Sequence, residues 1–185
     1  MSSVLGTAAI VLAGSVFIAI CAHIAIPLYF TPVPLTLQPF AVLLLGLLLT
    51  PRLAASTLGL YLAEGALGLP VFTPGPLISG GLAHLFGPTG GYLLAYPFAA
   101  ALISFLWRRA GRDKGRSFTA AIFSAAAGNI AILTSGALWL AVLTHASVQS
   151  VLTLAVLPFL PGDALKVVAA AALATGFVRL RRHAA

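Results

Sequence analysis

Apolar residues fill this chain in long runs, and the runs are broken by prolines, glycines and short clusters of arginine rather than by regular polar positions. Residues 4–26 read as a first helix, ended where Pro27 turns the chain. Residues 34–50 read as a second, with Pro34 in its first turn, and Pro51 divides it from a third at 52–69. Residues 90–107 and 118–143 supply a fourth and a fifth. The apolar piece at 148–157 is too brief to span and is expected as a half-helix against the outer rim. A sixth helix follows at 163–180, with Asp163 as its N-cap. A bilayer core is crossed by about 20 apolar residues. The expected fold is therefore an all-α membrane protein, a six-transmembrane-helix bundle forming a single domain over residues 1–185.

Composition agrees with lipid as the solvent. Hydrophobic residues make up 61% of the chain and charged residues 7%, where a soluble domain carries about a quarter; the mean hydropathy is +1.10. A net charge of +7 in a soluble protein suggests nucleic acid. Here the positions of the charges exclude that partner. Arg52, then Arg108, Arg109, Arg112, Lys114 and Arg116, then Arg179, Arg181 and Arg182 all flank apolar runs. With six spans these residues fall on one side, which the positive-inside rule makes cytoplasmic. Both termini are then expected in the cytoplasm, in a multi-pass protein of the cytoplasmic (inner) membrane. The first run has no basic residues before it and exceeds a signal-peptide core, so it is expected to be retained. Cys21 is the sole cysteine and reads as a packing residue.

The stretch 69–91 is long, uncharged and rich in glycine and proline. A merely exposed loop is polar, and irregular backbone at membrane depth must pack in protein or line a cavity. An outer lid between helices 3 and 4 is the expectation. Asp163 and Lys166 lie three apart at the outer start of helix 6 and share a face. Ionisable groups within membrane helices face a cavity or each other, so the pair is read as a cap with its partner, as an acceptor and donor for a polar ligand, or as both. Gln38 and Asn129 are amides that serve as interhelical glue or as ligand contacts. Gly87–Gly91, leading into helix 4, is either a tight packed turn or a set of backbone donors for an anion. Glu64 is a pocket group or a carboxylate reaching the interface. His84 and His145 stand at no metal-ligand spacing and read as solvated or packed. On helix 1, Ser15 with Ala19, and Ala9 with Ala13, are small-xxx-small steps that pack within the bundle or dock a partner.

Catalysis is not expected. The acids are Glu64, Asp113 and Asp163, and the chain contains no HExxH, GxSxG or nucleotide-binding motif. No metal or cofactor is expected either.

Four segments occur in a telling order: PVPLTLQ at 32–38, LPVF at 69–72, GPTGGYL at 87–93 and PFLPGDALK at 158–166. Together they resemble BioY, the biotin-specific substrate-binding (S) component of energy-coupling factor (ECF) transporters, along essentially the whole chain. The resemblance implies six helices around a biotin pocket near the outer face, with loop 3–4 as its lid. It places Gln38, Gly87, Pro88, Thr89, Gly90, Gly91, Tyr92, Asp163 and Lys166 at or near the pocket. It also implies docking of helix 1 through Ser15 and Ala19 on a membrane coupling subunit driven by two ATPase subunits, Ser15 standing where alanine is commoner. Positions 73–79 match no characteristic pattern. Biotin suits these residues: Asp163 accepts from a ureido N–H, Lys166 donates to the ureido carbonyl, and Phe72, Phe86 and Tyr92 wall the rings, with Asn129 a further candidate contact. The rivals are an S component for another vitamin, a proton-coupled transporter using Glu64 or Asp163, and a structural membrane subunit.

Overall fold

The computed structural model describes residues 2–74, 81–114 and 117–183. Expectations for positions 75–79 of the loop and for Arg116 thus lie outside the described residues. In chain order the elements are α1 (Ser2–His23), β1 (Ala25–Ile26), β2 (Leu35–Thr36), α2 (Gln38–Leu48), α3 (Pro51–Ala66), α4 (Leu82–Leu85), α5 (Gly90–Lys114), α6 (Phe118–Thr144), α7 (Val148–Ala155) and α8 (Leu160–His183). Helices α1, α5 and α6 are long and apolar enough to cross a membrane. Helices α7 and α8 pass the same test as a pair, bent by 50° at the break between them. Helix α2 is shorter, at 11 residues.

The element ends follow local chemistry. Ile24 to Ile26 leave the helix ahead of Pro27, whose ring disfavours helical backbone in the residue before it, and pair antiparallel with Leu35 and Thr36. That pairing is a correction to the second helix, which starts at Gln38 rather than at Pro34. Thr50, Ser117 and Ser147 cap α3, α6 and α7, each side chain accepting from a backbone N–H three residues on. Helix α3 ends in a Schellman motif: Gly68 takes φ +93°, its N–H reaches the Gly65 carbonyl, and Leu69 N–H reaches that of Glu64. Asp163 is not the N-cap expected of it. Helix α8 begins at Leu160, tolerating Pro161 in its first turn, where no intrahelical donor is needed. Asp163 N–H already bonds to the Phe159 carbonyl at 2.8 Å, which leaves the carboxylate free to turn inward.

Helix α5 lies at the centre, against α2, α3 and α6, and α2 also packs on α8. Helix α1 lies outside, on α3 and α2. Ser15 is 0% exposed and its hydroxyl donates to the Glu64 carboxylate, tying α1 to α3. It is therefore an internal contact and offers no outward side chain to a partner; Ala19 is half-buried. Large apolar side chains, among them Val4, Phe98, Phe123, Val142 and Leu165, stand on the outer surface. So much exposed apolar surface suits lipid and not water. The chain is a multi-pass membrane protein.

Several glycines set close approaches, two of them against aromatic rings. A Cβ at Gly136 of α6 would overlap the Tyr92 ring, and one at Gly65 of α3 would overlap the Phe72 ring. Phe72 in turn packs edge-on to Tyr61, with centroids 5.4 Å apart, and 4.9 Å from the buried ring of His84. These ring contacts anchor the two described flanks of the connection between α3 and α5 to each other and to α3.

Gly136→Val should lower stability by about 1–3 kcal/mol through overpacking, read as a fall in thermal midpoint in detergent. Burial pushes the His84 pKa below its usual range, so the docked ring resists a proton that the undocked ring accepts near pH ~6.5. Docking is then complete above that pH and weakens as pH falls below it. The thermal midpoint should accordingly drop more between about pH 7.5 and about pH 5 in the wild type than in His84→Phe.

Candidate substrate-binding site

The N-terminal ends of α2, α5 and α8 meet at one end of the bundle, where Thr73 and His84 from the described flanks of the α3–α5 connection also reach. Between them is a cavity whose walls include Val33, Pro34, Leu93, Ile132, Leu133 and Phe159 on the apolar side. Its polar side is made by Thr36, Gln38, Thr73, His84, Thr89, Tyr92, Tyr96, Asp163 and Lys166. The free space inside it is about 40 Å³, well below the volume of an occupied small-molecule site, so the walls close in on one another in this structure.

Asp163 and Lys166 are both buried, and Lys166 Nζ donates to Asp163 Oδ1 at 2.9 Å. Helical spacing i, i+3 brings them together on the inner face of α8. The other carboxylate oxygen, Oδ2, accepts from Asn129 Nδ2 of α6 at 3.2 Å. Each oxygen retains a lone pair and the ammonium retains two protons. The site thus offers acceptor and donor side by side with no net charge.

Opposite lies a second polar group, tightly satisfied within the protein. Gln38 Oε1 accepts from Thr36 at 3.1 Å and from Thr73 at 3.0 Å, and Gln38 Nε2 donates to the Tyr61 hydroxyl at 2.6 Å. The Tyr61 hydroxyl in turn donates to the Val71 carbonyl at 3.1 Å. This network ties α2, α3 and the described start of the α3–α5 connection, so Gln38 joins elements together as well as lining the cavity. Tyr92 donates to the Ala155 carbonyl at 2.6 Å and presents its ring, tilted against Phe159, as a wall.

The sequence-predicted residues divide as follows. Gln38, Thr89, Tyr92, Asp163 and Lys166 line the cavity together. Asn129 stands behind Asp163 rather than in the lining. Phe72 is a packing residue beneath the α3–α5 connection, buried on Tyr61 and His84. Phe86, the C-cap of the one-turn helix α4, is 67% exposed and is not part of the cavity lining. Gly87, Pro88, Gly90 and Gly91 shape the turn without lining the cavity. The Gly87 carbonyl accepts from Trp139 Nε1 at 2.9 Å and that of Gly91 from Ser135 at 2.8 Å, and a Cβ at Gly91 would meet Trp139. Sequence reasoning missed Thr36, Tyr96 and Phe159, and took His84 as a solvated or packed residue. The spacing of Tyr92 and Tyr96, one turn apart on α5, was an available signal for the second tyrosine.

Comparison with known proteins places this architecture. A 2.1 Å crystal structure of the S-component for biotin from an ECF-type ABC transporter superposes with a TM-score of 0.86 at 30% identity, covering 98% of this chain and 93% of that one. A probable biotin transporter of Pyrococcus horikoshii is 40% identical over 143 residues, 77% of this chain and 79% of its own length. A biotin transporter of Thermotoga maritima is 34% identical over 163 residues, 88% and 90% of the two chains. The sequence pattern of the BioY family matches residues 1–183, and the chain belongs to that family.

Proposed function

We propose that the chain captures biotin at the outer face of the cytoplasmic membrane and delivers it for uptake as the S component of an ECF-type transporter, without catalysis of its own. One observation carries the reading: a buried, net-neutral carboxylate–ammonium pair in a mostly apolar cavity, in a member of this family. A ureido group has N–H donors and a carbonyl on one small neutral unit, so it satisfies Asp163 and Lys166 together. Tyr92, Tyr96 and Phe159 supply apolar surface for the fused rings.

Orientation rests on the charges. Arg52 opens α3, Arg108 and Arg109 lie toward the end of α5, and Arg179 lies near the end of α8. All are at the bundle end opposite the cavity, so the positive-inside rule sets the cavity outward and both termini inward. The same reasoning supports six passes, with α2 and α3 as short spans beside α1, α5, α6 and the bent α7–α8 pair. The α3–α5 connection is the lid. A coupling subunit served by two ATPases completes the transporter. With Ser15 enclosed, the partner-facing stripe of α1 is Ala9, Ala13, Val16 and Ile20, all exposed and on one face.

Calorimetry of the detergent-purified protein should show tight biotin binding; heat from another water-soluble vitamin and none from biotin would replace the ligand. Breaking a buried pair costs about 3–5 kcal/mol, so Asp163→Ala and Lys166→Ala should each weaken biotin at least about a hundredfold. Wild-type affinity in either variant refutes their role. Ala13→Trp should leave binding by the purified protein intact while blocking uptake and co-purification with the coupling subunit in cells.

A further inference from the structure

The two oxygens of Asp163 are held from two different helices. Lys166, on the same helix, grips Oδ1. A single donor leaves a carboxylate free to rotate about its Cβ–Cγ bond; a second donor from elsewhere fixes its plane. Asn129 is that second donor, reaching Oδ2 from α6. Its amide can be oriented only one way, because turning it over would set its oxygen against the carboxylate. Asn129 is 7% exposed, and its Oδ1 has no hydrogen-bond partner among the described residues. A buried amide with one half unsatisfied weakens a fold relative to an apolar side chain of the same shape. Packing therefore does not account for it.

We propose that Asn129 is a positioning residue, which locks the Asp163 carboxylate in the plane that receives the ligand's N–H group. The inference rests on the biotin-binding reading and deepens it. It assigns to α6 a part in affinity without contact with the ligand, and it couples the α6–α8 interface to the site.

Two variants test it on the full-length protein in detergent, by calorimetry with biotin and by thermal midpoint. Asn129→Leu removes the donor and the orphan acceptor together. The expected result is affinity lower by about ten- to hundredfold with only a small change in thermal midpoint, because relief of the orphan Oδ1 offsets part of the donor lost to Asp163 Oδ2. Asn129→Asp keeps the shape and places two carboxyls side by side, which raises the pKa of one of them. Protonated, the new acid donates to Asp163 as the amide did; ionised, it accepts and repels. Affinity in this variant should thus approach wild type near pH ~5 and fall as pH rises toward ~8.

The other titratable groups facing Asp163 are Lys166 on α8, Tyr92 and Tyr96 on α5 and His84 on α4, while α2 contributes only the Gln38 amide. Of these, His84 alone has an ordinary value in that window, and the wild-type profile carries its contribution as the baseline. Wild-type affinity in Asn129→Leu overturns the proposal. So does loss of affinity in step with loss of thermal stability in both variants, with no recovery at low pH, since that is the signature of interhelical glue. If the wild type itself takes no biotin, the functional reading fails first and separately.

Discussion

A carboxylate and an ammonium taken out of water recover their lost hydration only if each finds the other and their remaining hydrogen-bonding capacity is filled. Asp163 and Lys166 meet the first condition on their own helix. The second is met in part by Asn129 and otherwise left open toward the cavity. Much of the surrounding structure follows from that arrangement. The first turn of α8 must start three residues before Asp163 so that its side chain faces inward and not toward its own backbone. The ends of α2 and α5 must converge there to exclude lipid. The α3–α5 connection must be pinned, through Phe72, His84 and the Gln38–Thr73 bond, so that the pair is not simply open to water.

Net neutrality has a further chemical consequence. A cavity holding an unpaired cation would favour any small anion that fits. A paired site favours a neutral group with donors and an acceptor at fixed separation, and the apolar walls then read the shape of what that group is attached to. Discrimination of this kind grows with the number of buried groups left unmatched by a wrong ligand.

Legibility in the sequence tracked the physics of each signal. The apolar runs and the arginine clusters located the long helices well, because lipid imposes length and charge asymmetry directly on the sequence. Boundaries failed where a local competitor intervened. Pro27 and the pairing of residues 25–26 with 35–36 shortened the first two helices, and Pro161 allowed the last helix to begin before Asp163. Arg108 to Lys114 continue α5, since no proline stands among them and Gly111 weakens a helix without ending it. In the site, residues carrying buried charge were legible: Asp163 and Lys166 had few other uses at that place. Aromatic residues were not. Phe72, Phe86 and Phe159 look alike in sequence, yet one is a packing piece, one is exposed and one lines the cavity, because their directions depend on turns that sequence does not specify. Ser15 misled for a related reason, since a small residue on a helix serves an internal contact as readily as an external one.

The cavity is assembled from several independent elements: Gln38 from α2, Tyr92 and Tyr96 from α5, Asp163 and Lys166 from α8, with Asn129 of α6 at its back. A site built in this way has no affinity apart from the arrangement of its helices. Any partner that binds one arrangement better than another must change ligand affinity by the same factor that the ligand changes the partner's. A single-helix site would lack this property, because rigid movement of that helix would carry the whole site along. Distribution of the polar groups across the bundle therefore ties the geometry of the cavity to the relative placement of its helices. The exposed, small-residue face of α1 contributes nothing to the lining, yet α1 is joined to α3 through Ser15 and Glu64, and α3 to Gln38 through Tyr61. That chain of contacts joins α1 to the polar side of the cavity.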